Sequence, residues 1–315
     1  MPNISSFQLP HEFLIVGAAV QIGLFDEIKD GSYTVKELSA NLDADYRALW
    51  TITEALAALG YLEYTDNQTV KLTEEAENIF YNPQSEHYKG FSFMHPYNLF
   101  NAWVKLPDVI KSGKPAPRKE TPGNAHTKHF IKAMSHGAVP AAQEVAQFCL
   151  ENLPPKPRVL DVGGGPLTYA AAFAKEGAVV TVLDLPDVID MMQPELDPSL
   201  SIKMIKGDFT EGLPIGPFDL VYMGNICHIY GEKENRKLFQ DAANEIASGG
   251  FIIINDMIRG TGVFPAIFAV NMLVNTESGG TWTFDQYSSW LLDAGFSVLP
   301  YTEVAGRQLI TAQKI

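Results

Sequence analysis

Two cysteines in 315 residues, Cys149 and Cys227, are too few and too far apart to build a disulfide framework. With no secretory leader ahead of them, they read as structural thiols of a reduced, cytoplasmic protein. Positive charge is also scarce. The chain carries 23 Lys and Arg against 37 Asp and Glu, a formal net charge of −14 at pH 7. Duplex binding rests on cations that neutralise phosphates, so nucleic acid and anionic membrane surfaces are not expected partners. Long apolar runs are missing as well. The strongest, Phe13 to Phe25, is far shorter than the roughly 20 residues a bilayer span needs. No group of His, Cys and carboxylates has metal-ligand spacing, so no metal is expected.

What remains is the composition of a soluble globular protein, 46% hydrophobic and 19% charged. In residues 1–82 the pattern is helical, then a small hairpin. Thr34-Val35-Lys36-Glu37 has the form of a capping box, and Leu49, Ile52, Leu56 and Leu59 place one apolar stripe on a helix that Gly60 ends. "YLEY" and "VKL" flank "TDNQT" as two strands and a turn, completing a winged-helix outline. Such an outline suggests DNA, but these 82 residues hold four Lys/Arg against thirteen Asp/Glu. The expected recognition helix carries Asp45 and Glu54 with only Arg47 to offset them, which repels phosphates. The region reads instead as a protein-contact module that makes a homodimer, with the apolar helix Phe13–Phe25 as the expected dimer surface.

Residues 83–157 are helical and rich in aromatic residues, Met and His, interrupted by the polar connection "KSGKPAPRKETPGN". Residues 158–315 alternate strands with helices. "RVLDV", "VVTVLDL", "IKMIKGD", "FDLVYM" and "FIIIND" are short apolar runs suited to burial on both faces of a parallel sheet. The segments "FSVLPY" and "RQLITAQK" add an antiparallel hairpin at one edge. The fold class is therefore α/β, a doubly wound sheet preceded by an all-α/winged-helix domain.

At "VLDVGGGPLTYAAAF" a strand turns into a helix through Gly163, Gly164 and Gly165, where the backbone can approach a ligand with no Cβ in the way. Asp184 ends the next strand, at the spacing of a carboxylate that binds ribose hydroxyls. These two features alone leave NAD open. Three details move the reading. The third glycine of the dinucleotide pattern is replaced by Thr168, Asp161 would repel a diphosphate but suits an ammonium group, and "GDF" ends the third strand with Asp208 for an adenine amino group and Phe209 to stack beside it. The ligand expected is adenosine joined to an amino acid, S-adenosylmethionine.

With these motifs in hand, the chain resembles the S-adenosylmethionine-dependent O-methyltransferases that include plant caffeic acid and isoflavone enzymes and animal acetylserotonin methyltransferase. "LDVGGG", "LDLPDVI", "KGDF", a histidine after strand four, "GGFIIIND", "NMLVNTESGG" and "LLDAGF" follow one another in that family's order. The resemblance implies a Rossmann-like methyltransferase sheet, and cofactor binding by Asp161, Gly163, Gly165, Asp184, Leu185, Asp208 and Phe209. It implies a catalytic pair as well: His228 as general base, in "CHIY" where the family has Leu-His-Asp-Trp, and Asp256 as its supporting acid. Phe130, Met134, Phe268, Met272 and Trp282 would line the acceptor pocket, with Asn225 and His95 as candidate hydrogen-bonding groups.

A phenol has a pKa of about 10 and imidazole about 6.5, so proton transfer to a free imidazole is uphill by roughly 5 kcal/mol. The sulfonium charge, concerted methyl attack and a carboxylate behind the imidazole are the means of closing that gap. Several positions depart from the family. Asp256 stands where Glu is usual, one methylene shorter, leaving open whether it reaches the imidazole directly. A second family glutamate is missing near Thr281, Ile229 and Tyr230 replace the Asp and Trp after the histidine, and Gly224 replaces a lysine four residues before it.

The function expected is methyl transfer to a hydroxyl of a small aromatic or heteroaromatic metabolite. Carbon or nitrogen methylation and cofactor-retaining chemistry remain alternatives within the enzyme class. A winged-helix regulator that senses S-adenosylmethionine is the alternative outside it.

Overall fold

In the computed structural model the described residues are 9–65, 68–117 and 125–315, the side chains of 125–130, 132, 133 and 136 excepted. They form two compact units, Met1–Phe100 and Asn101–Ile315. Among the described residues no helix is long and apolar enough to cross a membrane.

The first unit is built from helices His11–Gln21, Leu24–Ile28, Val35–Asn41, Tyr46–Ala58 and Glu74–Phe80 and a three-stranded antiparallel sheet of Tyr33–Thr34, Leu62–Tyr64 and Thr69–Leu72. Thr34 and Glu37 form the capping box that opens Val35–Asn41, and Asp45 caps Tyr46–Ala58 by accepting from the Ala48 N–H at 2.8 Å. One expectation needs correcting. Phe13–Phe25 is not a single helix, because Gly23 adopts a left-handed φ of +78° and divides it in two. The two pieces fold back so that Val16, Leu24, Phe25 and Ile28 enter one core with Leu38, Leu49, Leu56 and Val70. The expected stripe is also shorter than read. Leu59 lies past the end of its helix and is 40% exposed. Asp66 and Asn67, in the turn expected between the two wing strands, lie outside the described residues.

In the second unit the strands are β1 (Arg158–Val162), β2 (Val179–Asp184), β3 (Ile202–Lys206), β4 (Phe218–Gly224), β5 (Ile246–Asn255), β6 (Phe296–Val298), β7 (Thr302–Val304) and β8 (Arg307–Lys314). Its helices are α1 (Leu106–Ser112), α2 (Ala125–Leu150), α3 (Thr168–Lys175), α4 (Pro186–Met192), α5 (Glu232–Glu245), α6 (Val263–Asn275) and α7 (Phe284–Asp293). Strands lie in the order β7-β8-β5-β4-β1-β2-β3, with β6 also paired to β8. Strands β1 to β5 are parallel, and β8 runs antiparallel to β5, β6 and β7.

Alternation along these strands explains the two-sided core. Leu160, Val221 and Ile252 face α5 and α7, while Val159, Leu220 and Ile253 face α2 and α3. Replacing a fully buried leucine such as Leu160 by Ala costs about 2–5 kcal/mol in a core of this kind. The chain leaves β1 toward β2 on one side and reaches β4 on the other, so the sheet order reverses between β1 and β4. Crevices form at the carboxyl ends of strands at such a reversal.

Candidate active site

The glycine loop leaves β1 at this reversal. Gly163 holds φ +69°, and a Cβ there would lie 2.7 Å from Ile226 Cγ2. A Cβ on Gly164 would lie 2.5 Å from Asp161 Oδ2, and one on Gly165 would lie 3.0 Å from Asp184 Oδ2. The loop is therefore packed directly against two carboxylates, and a side chain at Gly164 or Gly165 would have to displace Asp161 or crowd Asp184.

Asp161 is fully buried, and its Oδ2 has no hydrogen-bond partner. Burial, with the charge of Asp184 adding to it, pushes this carboxyl up to about 7. Burial also raises Asp184, against which the backbone N–H groups of Leu185 and Gly165 act. The Leu185 N–H donates to Asp184 Oδ1 at 2.7 Å, so Leu185 contributes its backbone here. Asp208 accepts at Oδ1 from the Thr210 N–H and hydroxyl, at 2.8 and 2.7 Å, which fixes the turn after β3. Phe209 meets Tyr230 edge-on with ring centroids 5.5 Å apart. A buried carboxylate lacking a partner, beside a close-packed glycine loop and a second acid, supplies acceptors that suit a small organic cation carrying hydroxyls.

The second half of the site hangs from β4 and β5. Asn225 turns the chain with φ +59°, and its N–H donates to Asn255 O at 2.9 Å. A short 3-10 turn, Cys227–Ile229, follows and carries His228 over the end of β5. Asn235 on α5 secures that turn by donating from Nδ2 to Cys227 O, Tyr230 O and Gly231 O at 2.9, 3.1 and 3.0 Å. The result is a buried pair in which His228 Nδ1 lies 2.7 Å from Asp256 Oδ1 and the His228 N–H donates to Asp256 Oδ2 at 3.0 Å. Asp256 reaches the imidazole directly despite being one methylene shorter than Glu, because the 3-10 turn brings the histidine backbone itself within hydrogen-bonding distance of the carboxylate.

The O-methyltransferase domain family matches residues 113–297, more than half of the chain. The chain belongs to this O-methyltransferase family. It is a methyltransferase that uses S-adenosylmethionine. Among its relatives, a 3-hydroxy-5-methyl-1-naphthoate 3-O-methyltransferase from Streptomyces sahachiroi is 26% identical over 89% of this chain and 84% of that protein. The N,N-dimethyltransferase OxyT of Streptomyces rimosus is 24% identical over 91% of this chain and 88% of that protein. Human N-acetylserotonin methyltransferase in complex with SAM has the same fold, with a TM-score of 0.70, 20% identity and 96% and 94% of the two chains covered. The Rossmann-like sheet is that of these methyltransferases, and the carboxylates and glycine cradle described above fit the cofactor.

Within this methyltransferase the pocket candidates separate. Phe268 on α6 sits edge-on to the His228 ring, with centroids 4.9 Å apart and planes at 83°. Trp282 donates from Nε1 to Cys227 O at 3.4 Å, in the same turn as the histidine. Met272 lies one helical turn beyond Phe268 and is buried. Met134 is half-buried in α2, and its neighbour Ser135 meets Thr168 hydroxyl to hydroxyl at 3.1 Å, at the start of the helix after the glycine loop. The side chain of Phe130 lies outside the described residues. His95 belongs to the first unit.

Tyr287 carried no sign in the sequence, and Tyr230 stood out only as the residue replacing a family Trp. Tyr230 is brought close enough to Asp208 and Asp184 that their charges, after burial, raise its phenol. Tyr287 on α7 donates its hydroxyl to Asp256 Oδ2 at 3.2 Å. Thr281, where a second acid is absent, is buried and donates to Pro265 O at 3.1 Å.

Proposed function

We propose that this enzyme transfers a methyl group to a hydroxyl of a small aromatic or heteroaromatic metabolite, with His228 as general base. One observation carries the reading: an imidazole 6% exposed, held at Nδ1 by a buried carboxylate, at the carboxyl edge of the sheet beside the glycine cradle. When bound, S-adenosylmethionine supplies an electrophilic methyl carbon on a sulfonium. His228 accepts the hydroxyl proton at Nε2, the ring nitrogen opposite the one Asp256 holds. Asp256 keeps the proton on Nδ1, so that Nε2 presents its lone pair, and it stabilises the imidazolium that forms. Phe268 and Trp282, both in contact with the histidine turn, would offer apolar faces to hold a flat ring near His228.

Cofactor binding is assigned to Asp161, for the cationic amino-acid end, Asp184 for the ribose, and Asp208 and Phe209 for the adenine. The relative named as a naphthoate 3-O-methyltransferase supports an aromatic hydroxyl as acceptor. The relative named as an N,N-dimethyltransferase supports a second reading, in which the acceptor is an aromatic amine. Incubation with methyl-labelled S-adenosylmethionine and paired phenol and aniline acceptors, followed by mass spectrometry, separates the two. Label on oxygen is expected, label on nitrogen alone favours the second reading, and label on neither with products formed removes methyl transfer from the account.

The proposal includes a homodimer formed through the N-terminal unit. Helix His11–Gln21, apolar on nearly every side, supports it. Light scattering should then give twice the 34.7 kDa mass of one chain.

A further inference from the structure

Asp256 is surrounded by four donors. Oδ1 receives His228 Nδ1–H at 2.7 Å and the Met257 N–H at 2.8 Å, while Oδ2 receives the His228 N–H at 3.0 Å and the Tyr287 hydroxyl at 3.2 Å. That saturates a carboxylate, which offers about four lone-pair positions. Three of the four donors come from the two segments the aspartate joins, its own loop and the histidine turn. Tyr287 alone comes from a third element, α7, which Thr283 and Gln286 anchor with a capping box.

The Tyr287 ring is held as firmly as its helix. It is fully buried, 5.7 Å from the Trp290 ring and 6.4 Å from the Phe239 ring between centroids. Burial, and then the charge of Asp256, raises the phenol well above its ordinary value, so it is protonated and only donates. The titratable side chains around Asp256 among the described residues are His228, Tyr287 and Cys227, and burial keeps the Cys227 thiol protonated too. No second acid stands at Thr281 to steady the base from another side. Apart from His228, Tyr287 is the side chain that bonds this carboxylate.

The geometry points to Tyr287 as a positioning residue for the base: its hydroxyl pins Asp256 in the rotamer that presents one oxygen to His228 Nδ1 and the other to the His228 backbone. This rests on the proposed role of His228. Tyr287 touches neither substrate nor cofactor in this account and acts only through Asp256.

Tyr287→Phe keeps the ring and removes the donor. The expected result is a fall in kcat of about tenfold with KM for S-adenosylmethionine unchanged. In a D256N background the same change should have no further effect on kcat, because the partner it orients is already gone. A second measurement needs no turnover. In protein labelled with 15N-histidine, the downfield Nδ1–H resonance of His228 should broaden in Y287F through faster exchange with water. Equal losses in both backgrounds, an unchanged kcat, or an unperturbed Nδ1–H resonance in a folded Y287F protein would each overturn the inference. H228A separates it from the reading beneath it. If H228A retains methyl transfer, the base assignment fails. If H228A is inactive while Y287F behaves as the unsubstituted enzyme, only the role of Tyr287 fails.

Discussion

Asp256 holds His228 at two points, one oxygen 2.7 Å from Nδ1 and the other 3.0 Å from the histidine's own backbone nitrogen. Asp256→Asn should damage the first contact more than the second. An amide can still accept the backbone N–H with its oxygen, but it then turns an NH2 group toward Nδ1 and favours the wrong tautomer. A drop in kcat of about 10²–10⁴ is expected, with calorimetric affinity for S-adenosylmethionine within about twofold of the native value. Loss of cofactor binding in a folded D256N protein would show that the carboxylate belongs to the cofactor site instead.

Asp161 gives a pH dependence whose sign is set by burial. Its carboxyl is raised to about 7, far above the unfolded value near 3.9. The stabilisation from its bound proton is complete below about pH 4 and is lost as pH rises through 7 in the ligand-free protein. A cationic ligand reverses the preference by favouring the ionised carboxylate. Affinity for S-adenosylmethionine should therefore tighten between pH 5 and 7, with proton release visible as a buffer-dependent heat in calorimetry. D161N should remove both the release and this part of the stability slope. Binding without proton release at pH 6 would contradict the assignment.

Gly279 tests whether the turn carrying His228 must sit where it does. A Cβ at this position would lie 2.5 Å from His228 O and 2.7 Å from Ile229 O, both backbone atoms that cannot step aside like a flexible side chain. The neighbouring Gly280 N–H donates to His228 O at 2.9 Å. Gly279→Ala should lower the melting temperature by several degrees, in line with the roughly 1–3 kcal/mol of an overpacked site. It should also reduce kcat by more than tenfold while cofactor affinity holds. Native turnover in this variant would mean that the histidine turn is not held in place from this side.

Much of this was readable from residue order, for reasons that differ by element. The central parallel strands announce themselves because a strand buried on both faces has no polar alternation, as in Arg158–Val162 and Phe218–Gly224, whereas the edge strand Ile202–Lys206 keeps exposed lysines at 203 and 206. The glycine loop was legible because a βα turn packed this closely, with an added Cβ meeting Ile226, Asp161 and Asp184, leaves a run of glycines in the sequence. His228 was legible from its position after β4. The direct contact with Asp256 was not, since it depends on a 3-10 turn whose register no periodicity reports. Tyr287 was hidden for a similar reason: 31 residues separate it from Asp256, and only the packing of α7 on the sheet joins them. The break at Gly23 was visible as a glycine but was outweighed by the apolar run around it.

The most direct test of the central claim is single-turnover methyl transfer by His228→Ala, with labelled S-adenosylmethionine and a phenolic acceptor. The account predicts a rate lower by about 10²–10⁴, with the cofactor's dissociation constant unchanged. A single-turnover rate within a few fold of the native enzyme would contradict it, because the proton would then be leaving by another route.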